Sequence, residues 1–230
     1  MAKLSKDLVD VRRQDKMSLF SDQSTHGKAF QLYLLTSKTA AAVRTSAPRS
    51  GEECGLFGSE LISPAIAASL PSSYTIRALR KSDYAIGFLD VLRVLTTVGD
   101  ISQEAWNERY DWMSGQGKGG YYLLVIEDQG RIVGTGALIV ERKFIHNLGL
   151  VGHIEDIAVA KDQQGKKLGL KLIQALDFVA EKVGCYKCIL DCSEANEGFY
   201  VKCGYKRAGL EMAHYYDGNT SKDVAGKKPA

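Results

Sequence analysis

Two adjacent carboxylates, Glu155 and Asp156, interrupt an otherwise apolar run, Gly-His-Ile-Glu-Asp-Ile-Ala-Val (152–159). A few residues on, the chain becomes basic and glycine-bearing, Gln164-Gly165-Lys166-Lys167-Leu168-Gly169, and a leucine-rich stretch follows at once. If 152–159 is a strand, alternation sends Glu155 and Asp156 to opposite faces, so at least one faces inward or into a cleft. An unpaired buried carboxylate is costly, which calls for a cationic or hydroxyl-rich partner. An internal salt bridge meets that need as well as a reaction site does. The turn has its own chemistry. A strand that enters a glycine turn and then a helix gathers free backbone N–H groups at the positive helix end, a place that binds phosphate. Lys166 and Lys167 would add attraction, although an ordinary turn with solvated lysines has the same composition. A Walker A loop is excluded by spacing and by the missing hydroxyl. A dinucleotide fingerprint begins at Gly134-Thr135-Gly136 but fails at Ile139.

Further candidates follow. Asp191, in Cys-Ile-Leu-Asp-Cys, repeats the motif of an acid in an apolar strand. Asn196, Phe199 and Tyr200 are about one helical turn apart, which gives a polar handle and a phenol on one helix side, or else a half-buried aromatic face. Cys185, Cys188, Cys192 and Cys203 invite a zinc reading. Cys188 and Cys192, on one strand face, would be about 13 Å apart, too far to share an ion. Buried thiols are the better account, so no metal is expected, and a Cys nucleophile with His146 or His153 has no support in the spacing. Five cysteines with no secretion signal read as free thiols in a reducing, cytoplasmic setting.

These residues need elements to hold them. The 230-residue chain is 45% hydrophobic and 25% charged, enough for a sizeable core. Nine Lys/Arg against four Asp/Glu fall in the first 50 residues, which leaves the rest at about −2 of a net +3. Bulk charge therefore gives no support to a nucleic-acid partner. No apolar run approaches the roughly 20 residues of a membrane span. Residues 1–55 read as a disordered extension; the four acids Asp7, Asp10, Asp15 and Asp22 argue against a transit peptide. Leu56, Phe57, Leu61 and Ile62 suit a short docking arm. Beyond it come a strand at 74–79, a helix from an N-cap at Ser82 to a stop at Gly99, and a helix over 102–114. A hairpin turns at Asp-Gln-Gly (128–130), followed by a strand over 148–160. A helix over 166–183 stops at Gly184, a short buried strand spans 186–192, a helix 193–204, and a last strand 205–216. Residues 217–230 read as a flexible tail. This order is an α+β, mixed three-layer fold whose later β-α-β piece implies a parallel pair, with a ligand at the carboxyl ends of its strands.

Taken together, "VLTTVG", "IVERKFIHNLGLVGHIEDIAV" and "GCYKCILDCSEANEGFYVKCGYKRAGLEM" resemble the GNAT superfamily of acetyl-CoA-dependent N-acetyltransferases. Within it they are most similar to the glucosamine 6-phosphate N-acetyltransferase family in its fungal-type forms, over about 56–216. The resemblance implies a central, mostly antiparallel sheet with a parallel β-α-β cofactor-binding segment. It implies acetyl transfer from acetyl-CoA to the amine of glucosamine 6-phosphate in UDP-GlcNAc biosynthesis, by a homodimer with shared sites. Gly165, Lys166, Lys167, Leu168, Gly169 and Leu170 would hold the pyrophosphate of acetyl-CoA. Ile157, Ala158 and Val159 would pair with its pantetheine arm, with Asn196 as a further polar contact. Thr96, Lys143, His146, Glu155, Asp156, Tyr186 and Lys187 would line the sugar-phosphate pocket. Asp191 would sit near the thioester, Tyr200 would protonate the departing thiolate, and Glu155 or Asp156 would take the amine proton. Two positions depart from the pattern. Lys167 occupies a superfamily glycine position, and Met212-Ala213-His214-Tyr215-Tyr216 lacks a phosphate-binding arginine, so that Tyr215 or a lysine would substitute. Two other readings are a GNAT acting on a different amine and a non-catalytic acyl-CoA-binding module.

Overall fold

The computed structural model describes residues 53–214. The expectations for 1–52, for Tyr215 and Tyr216 and for the 217–230 tail lie outside them. Five strands form one sheet in chain order: β1 (Tyr74–Ala78), β2 (Tyr121–Asp128), β3 (Arg131–Arg142), β4 (Leu150–Val159) and β5 (Cys185–Ile189). β1 to β4 are antiparallel neighbours, and β5 runs parallel to β4. Among the described residues six α-helical segments accompany the sheet, besides three short 3-10 turns: α1 (Pro64–Ala68), α2 (Phe88–Leu92), α3 (Gln103–Ser114), the short turn α4 (Ile145–Leu148), α5 (Leu168–Val183) and α6 (Glu194–Lys202).

The hairpin turns at Gln129 and Gly130, both with positive φ, the two-residue connection that matches strand twist. Leu168, Leu172, Leu176 and Val179 lie on the buried stripe of α5, which covers one sheet face. Gly134 and Gly136 permit that close approach, because a Cβ at either would meet Leu172 or Leu176 within 3.3 Å. α2 and α3 cover the other face, with Phe88 and Trp106 ring to ring at 5.2 Å. The arm docks through Leu56, whose N–H donates to the Leu79 carbonyl at 2.8 Å, and through Phe57 against Tyr122.

Four expectations are corrected. The single helix from Ser82 to Gly99 is broken. Lys81–Ile86 is a 3-10 turn, Gly87 takes φ 95°, and α2 begins after it. The turn is fixed by Asp83 rather than by a Ser82 cap. Fully buried Asp83 accepts from the Arg80 N–H at 2.7 Å and binds both Arg77 nitrogens at 2.7 and 2.8 Å. β5 is half exposed instead of buried, because it is an edge strand with Tyr186 and Lys187 facing out. Residues 205–214 form no strand, and Leu210 and Met212 are exposed.

Candidate active site

The fourth correction lies at the carboxylates. Ala137 pairs with Glu155 and Thr135 with Ala158, so Asp156 and Ile157 together oppose Gly136. This is a β-bulge, and Asp156 takes φ 54°, a left-handed conformation that aspartate tolerates better than most residues. The bulge cancels the alternation. Asp156 lines the cavity on the α2–α3 side together with Ala137, and Glu155, directly opposite Ala137, shares that face. Both acids therefore face the same side. Ile157 turns the other way, towards α5, where it would meet a Cβ at Gly136.

β5 pairs with β4 only over Leu150–His153. From Ile154 to Val159 no strand among the described residues lies beside the second edge of β4, so the two parallel strands part where the bulge lies. Asp191 follows β5 on the far side of the opening. Partial burial pushes the Glu155 carboxyl above its ordinary value, and the charges of Asp156 and Asp191 push it the same way, against a weaker pull from His153. Tyr200 is reached from α6. Burial holds its phenol above its usual value, with smaller contributions from Cys192, Cys203 and Glu155, so the hydroxyl remains a proton donor across the neutral range.

The strand then enters the glycine turn. Gly165 has φ 78° and Lys167 φ 63°, and no side chain caps the start of α5. Nothing lies within 4 Å of a Cβ at Gly165, so only its backbone angle calls for glycine. The uncapped N–H groups of Leu168, Gly169 and Leu170 make a helix end that could bind an anion. Lys166 is exposed, and its ammonium donates to Gln163 Oε1 at 2.6 Å and to the Tyr74 hydroxyl at 3.1 Å, so it and exposed Lys167 flank the backbone N–H groups of the turn. Phe199 lies 3.4 Å from the position of a Gly169 Cβ, so α6 brings Asn196 and Tyr200 to the same opening. The helix end could hold the pyrophosphate of acetyl-CoA, and the bare strand edge at Ile157, Ala158 and Val159 could pair with its pantetheine amides.

The expected sugar-phosphate residues divide into two groups. On the face that bears Glu155, Glu141, Val151 and Lys187 form one row across the sheet, and Ile139, His153 and Ile189 the next. Lys187 is thus two rows from Glu155, about 13 Å along the strand. With it lie Tyr186 and His146, whose rings are 4.6 Å apart, and Lys143, which bonds Glu141 at 2.6 Å. Thr96, exposed beyond α2, sits on another element. Two participants escaped the sequence reading. Glu141 bridges Lys143 and His153, the latter at 3.0 Å; only the strand register could have shown it. Asp177 of α5 accepts from the Tyr205 hydroxyl at 2.5 Å and interacts with the Cys188 thiol, which joins α5, β5 and the end of α6. Burial pushes Cys188 up to about 12, so it is no nucleophile. His153 is engaged by Glu141 and His146 by Tyr186. Among the described residues no group of three or more His, Cys, Asp or Glu side chains could hold a metal ion, and no helix is long and apolar enough to cross a membrane.

A strand that bulges at paired carboxylates, parts from its parallel neighbour and enters an uncapped helix is the framework of an acyl-CoA N-acyltransferase. Residues 86–205 match the Acetyltransferase (GNAT) family, and the chain belongs to it. It is 51% identical over 143 residues to a glucosamine 6-phosphate N-acetyltransferase of Candida albicans, over 62% of this chain and 96% of that one. It is 37% identical over 150 residues to the enzyme of that name from Arabidopsis thaliana, over 64% and 100% of the two chains. The crystal structure of glucosamine-6-phosphate N-acetyltransferase from Arabidopsis thaliana superposes with a TM-score of 0.61 at 38% identity, over 64% of this chain and all of that one.

Proposed function

We propose that this protein transfers the acetyl group of acetyl-CoA to the amine of D-glucosamine 6-phosphate, giving N-acetyl-D-glucosamine 6-phosphate and CoA by direct attack in a ternary complex. The bulge at Asp156 is the observation that supports this most. It sets two carboxylates on one face beside the bare edge of β4, with Tyr200 and the α5 helix end at the same opening. Acetyl-CoA supplies the activated thioester. The N–H of Ile157 donates to the carbonyl oxygen as negative charge develops. Glu155, whose raised pKa suits a group that must both take and release a proton, or Asp156 accepts the amine proton. Tyr200 protonates the thiolate. Holding both substrates in register supplies several kcal/mol without any covalent intermediate. Lys143, His146, Tyr186 and Lys187 provide cationic and aromatic groups for the sugar phosphate, and their distance from Glu155 within one chain favours a homodimer in which partners complete each other's sites. The reading places the protein in the cytoplasm, in UDP-GlcNAc biosynthesis.

The discriminating measurement is thiol release from acetyl-CoA with glucosamine 6-phosphate against unphosphorylated glucosamine. The phosphorylated sugar is expected to react at least tenfold faster. Equal rates would refute the phosphate assignment, and cofactor binding without thiol release would leave an acyl-CoA-binding module. Tyr200→Phe is expected to lower kcat at least tenfold with little change in KM for acetyl-CoA; an unchanged kcat removes its acid role.

A further inference from the structure

Beneath α2 and α3 lies a cavity of about 370 Å³ that meets the acetyl transfer above only at Asp156. Its floor runs from Leu79 and Leu123 across Thr135 and Ala137 to Asp156 at the bulge. That path crosses three inter-strand spacings, about 14 Å in all, and it ends at the candidate reaction centre.

The cavity is mostly apolar, and the donors of Trp106, Tyr110 and Thr135 in its wall are engaged elsewhere. The indole N–H of Trp106 donates to the Lys81 carbonyl at 2.7 Å. The Tyr110 hydroxyl donates to the Leu79 carbonyl at 3.3 Å, and the Thr135 hydroxyl to the Leu124 carbonyl at 3.0 Å. The charged residues lining it are Asp156 at the bulge end and Arg109 on exposed α3. A hexosamine placed inside would leave its hydroxyls unpaired, so the amino sugar belongs over the polar rows of the sheet, outside this space. An apolar molecule with one cationic end suits it better. The carboxylate attracts an ammonium, Arg109 repels it, and the apolar walls take the remainder.

We propose that the cavity admits a second class of acceptor: primary amines with an apolar alkyl or aryl tail, the nitrogen at Asp156 and the tail beneath α2 and α3. The ammonium first loses a proton to Asp156 or Glu155. The nitrogen lone pair attacks the thioester carbon, a C–N bond forms and the C–S bond breaks. The second nitrogen proton is lost as the tetrahedral species collapses, the thiolate takes a proton, and the products are an N-alkylacetamide and CoA. The inference rests on the donor half of the function proposed above and is independent of the sugar half.

The test is thiol release from acetyl-CoA by the full chain with n-hexylamine, 2-phenylethylamine, ethanolamine and glucosamine 6-phosphate in parallel. n-Hexylamine is expected to react at least tenfold faster than ethanolamine, which lacks a tail to bury. Ala105→Phe and Met113→Trp, which fill the cavity from α3, are expected to lower hexylamine turnover at least tenfold and leave glucosamine 6-phosphate turnover unchanged. Ala105 is exposed, so its variant keeps the test valid if Met113→Trp fails to fold. Absence of hexylamine turnover while the sugar phosphate reacts overturns this inference alone, as does hexylamine turnover that both filled variants retain. Hexylamine turnover without sugar-phosphate turnover upholds it and overturns the sugar reading.

Discussion

At Glu155 the placement that suits proton transfer works against folding. Burial and the two neighbouring carboxylates raise its pKa in the folded chain. Its contribution to stability is therefore fully present below the unfolded value and is lost as pH rises through the folded one. Glu155→Gln is expected to raise Tm at pH 8, with the gain shrinking as pH falls and vanishing by about pH 3, where the glutamate is protonated in both states. If Glu155 is the base, the same variant loses the acid limb of kcat/KM, and that limb in the wild type lies above the ordinary carboxylate range. A Tm gain that persists unchanged at about pH 3 would exclude a charge origin. Lys167 tests a different cost. A non-glycine residue in the left-handed region costs about 1–2 kcal/mol, whereas glycine forfeits roughly 0.5–1 kcal/mol in chain flexibility. Lys167→Gly is thus expected to unfold within about 1 kcal/mol of the wild type, and β-branched Lys167→Val at least about 1 kcal/mol below it, by denaturant titration. The acids and the turn were legible as residue types. Their common face was not, because the bulge is a property of the pairing of β4 with β3 and not of either sequence alone.

Elements with strong internal period were read correctly: the hairpin, β4, and α5 with its glycine stop. The reading failed where a distant group decided the local conformation. Phe88, Leu92 and Leu95 do have helical spacing, but the Arg77–Asp83 pair pins the preceding turn and Gly87 breaks the run. The placement of α6 is a second such case. Its buried side is modest, and its last turn is held by Tyr205 on Asp177. Asp177 has its pKa raised by burial and partly restored by the Tyr205 and Cys188 hydrogen bonds. Tyr205→Phe deprives a half-buried carboxylate of its strongest partner, which is expected to cost about 1–3 kcal/mol near pH 7. The loss of that partner raises the Asp177 pKa further, so the penalty is expected to shrink as pH falls and the group protonates. Because α6 also brings Tyr200 to the opening, kcat is expected to fall with Tyr205→Phe while the KM for acetyl-CoA, whose proposed pyrophosphate site is the α5 turn, changes little. A pH-independent loss of stability with kcat unchanged would assign Tyr205 to packing alone.

The whole molecule has a surface that a solitary chain does not explain. Phe144, Ile145 and Leu148 are 94, 62 and 68% exposed on the β3–β4 connection, and Leu210 and Met212 are 91 and 94% exposed beyond α6. The first group adjoins Tyr186, since Gly149 lies against both Tyr186 and His146. Exposed apolar side chains of this kind suit the interface of the homodimer proposed above. Here they adjoin Tyr186 and His146, and Lys187, next to Tyr186, lies two rows from Glu155 in the same chain. The stretch 205–214 forms no strand among the described residues, and the homodimer proposed above would offer it a partner edge to pair with. A two-fold dimer across this patch would bury the aromatics and could bring one chain's His146, Tyr186 and Lys187 towards the other's bulge. Sedimentation is expected to show a dimer, and Phe144→Glu with Leu148→Glu to give monomers. Those monomers are expected to retain acetyl-CoA binding, because β4's bare edge and the α5 helix end lie within one chain, and to lose most turnover of the sugar phosphate. A wild-type monomer with full turnover, or a fully active monomeric variant, would confine the whole site to one chain.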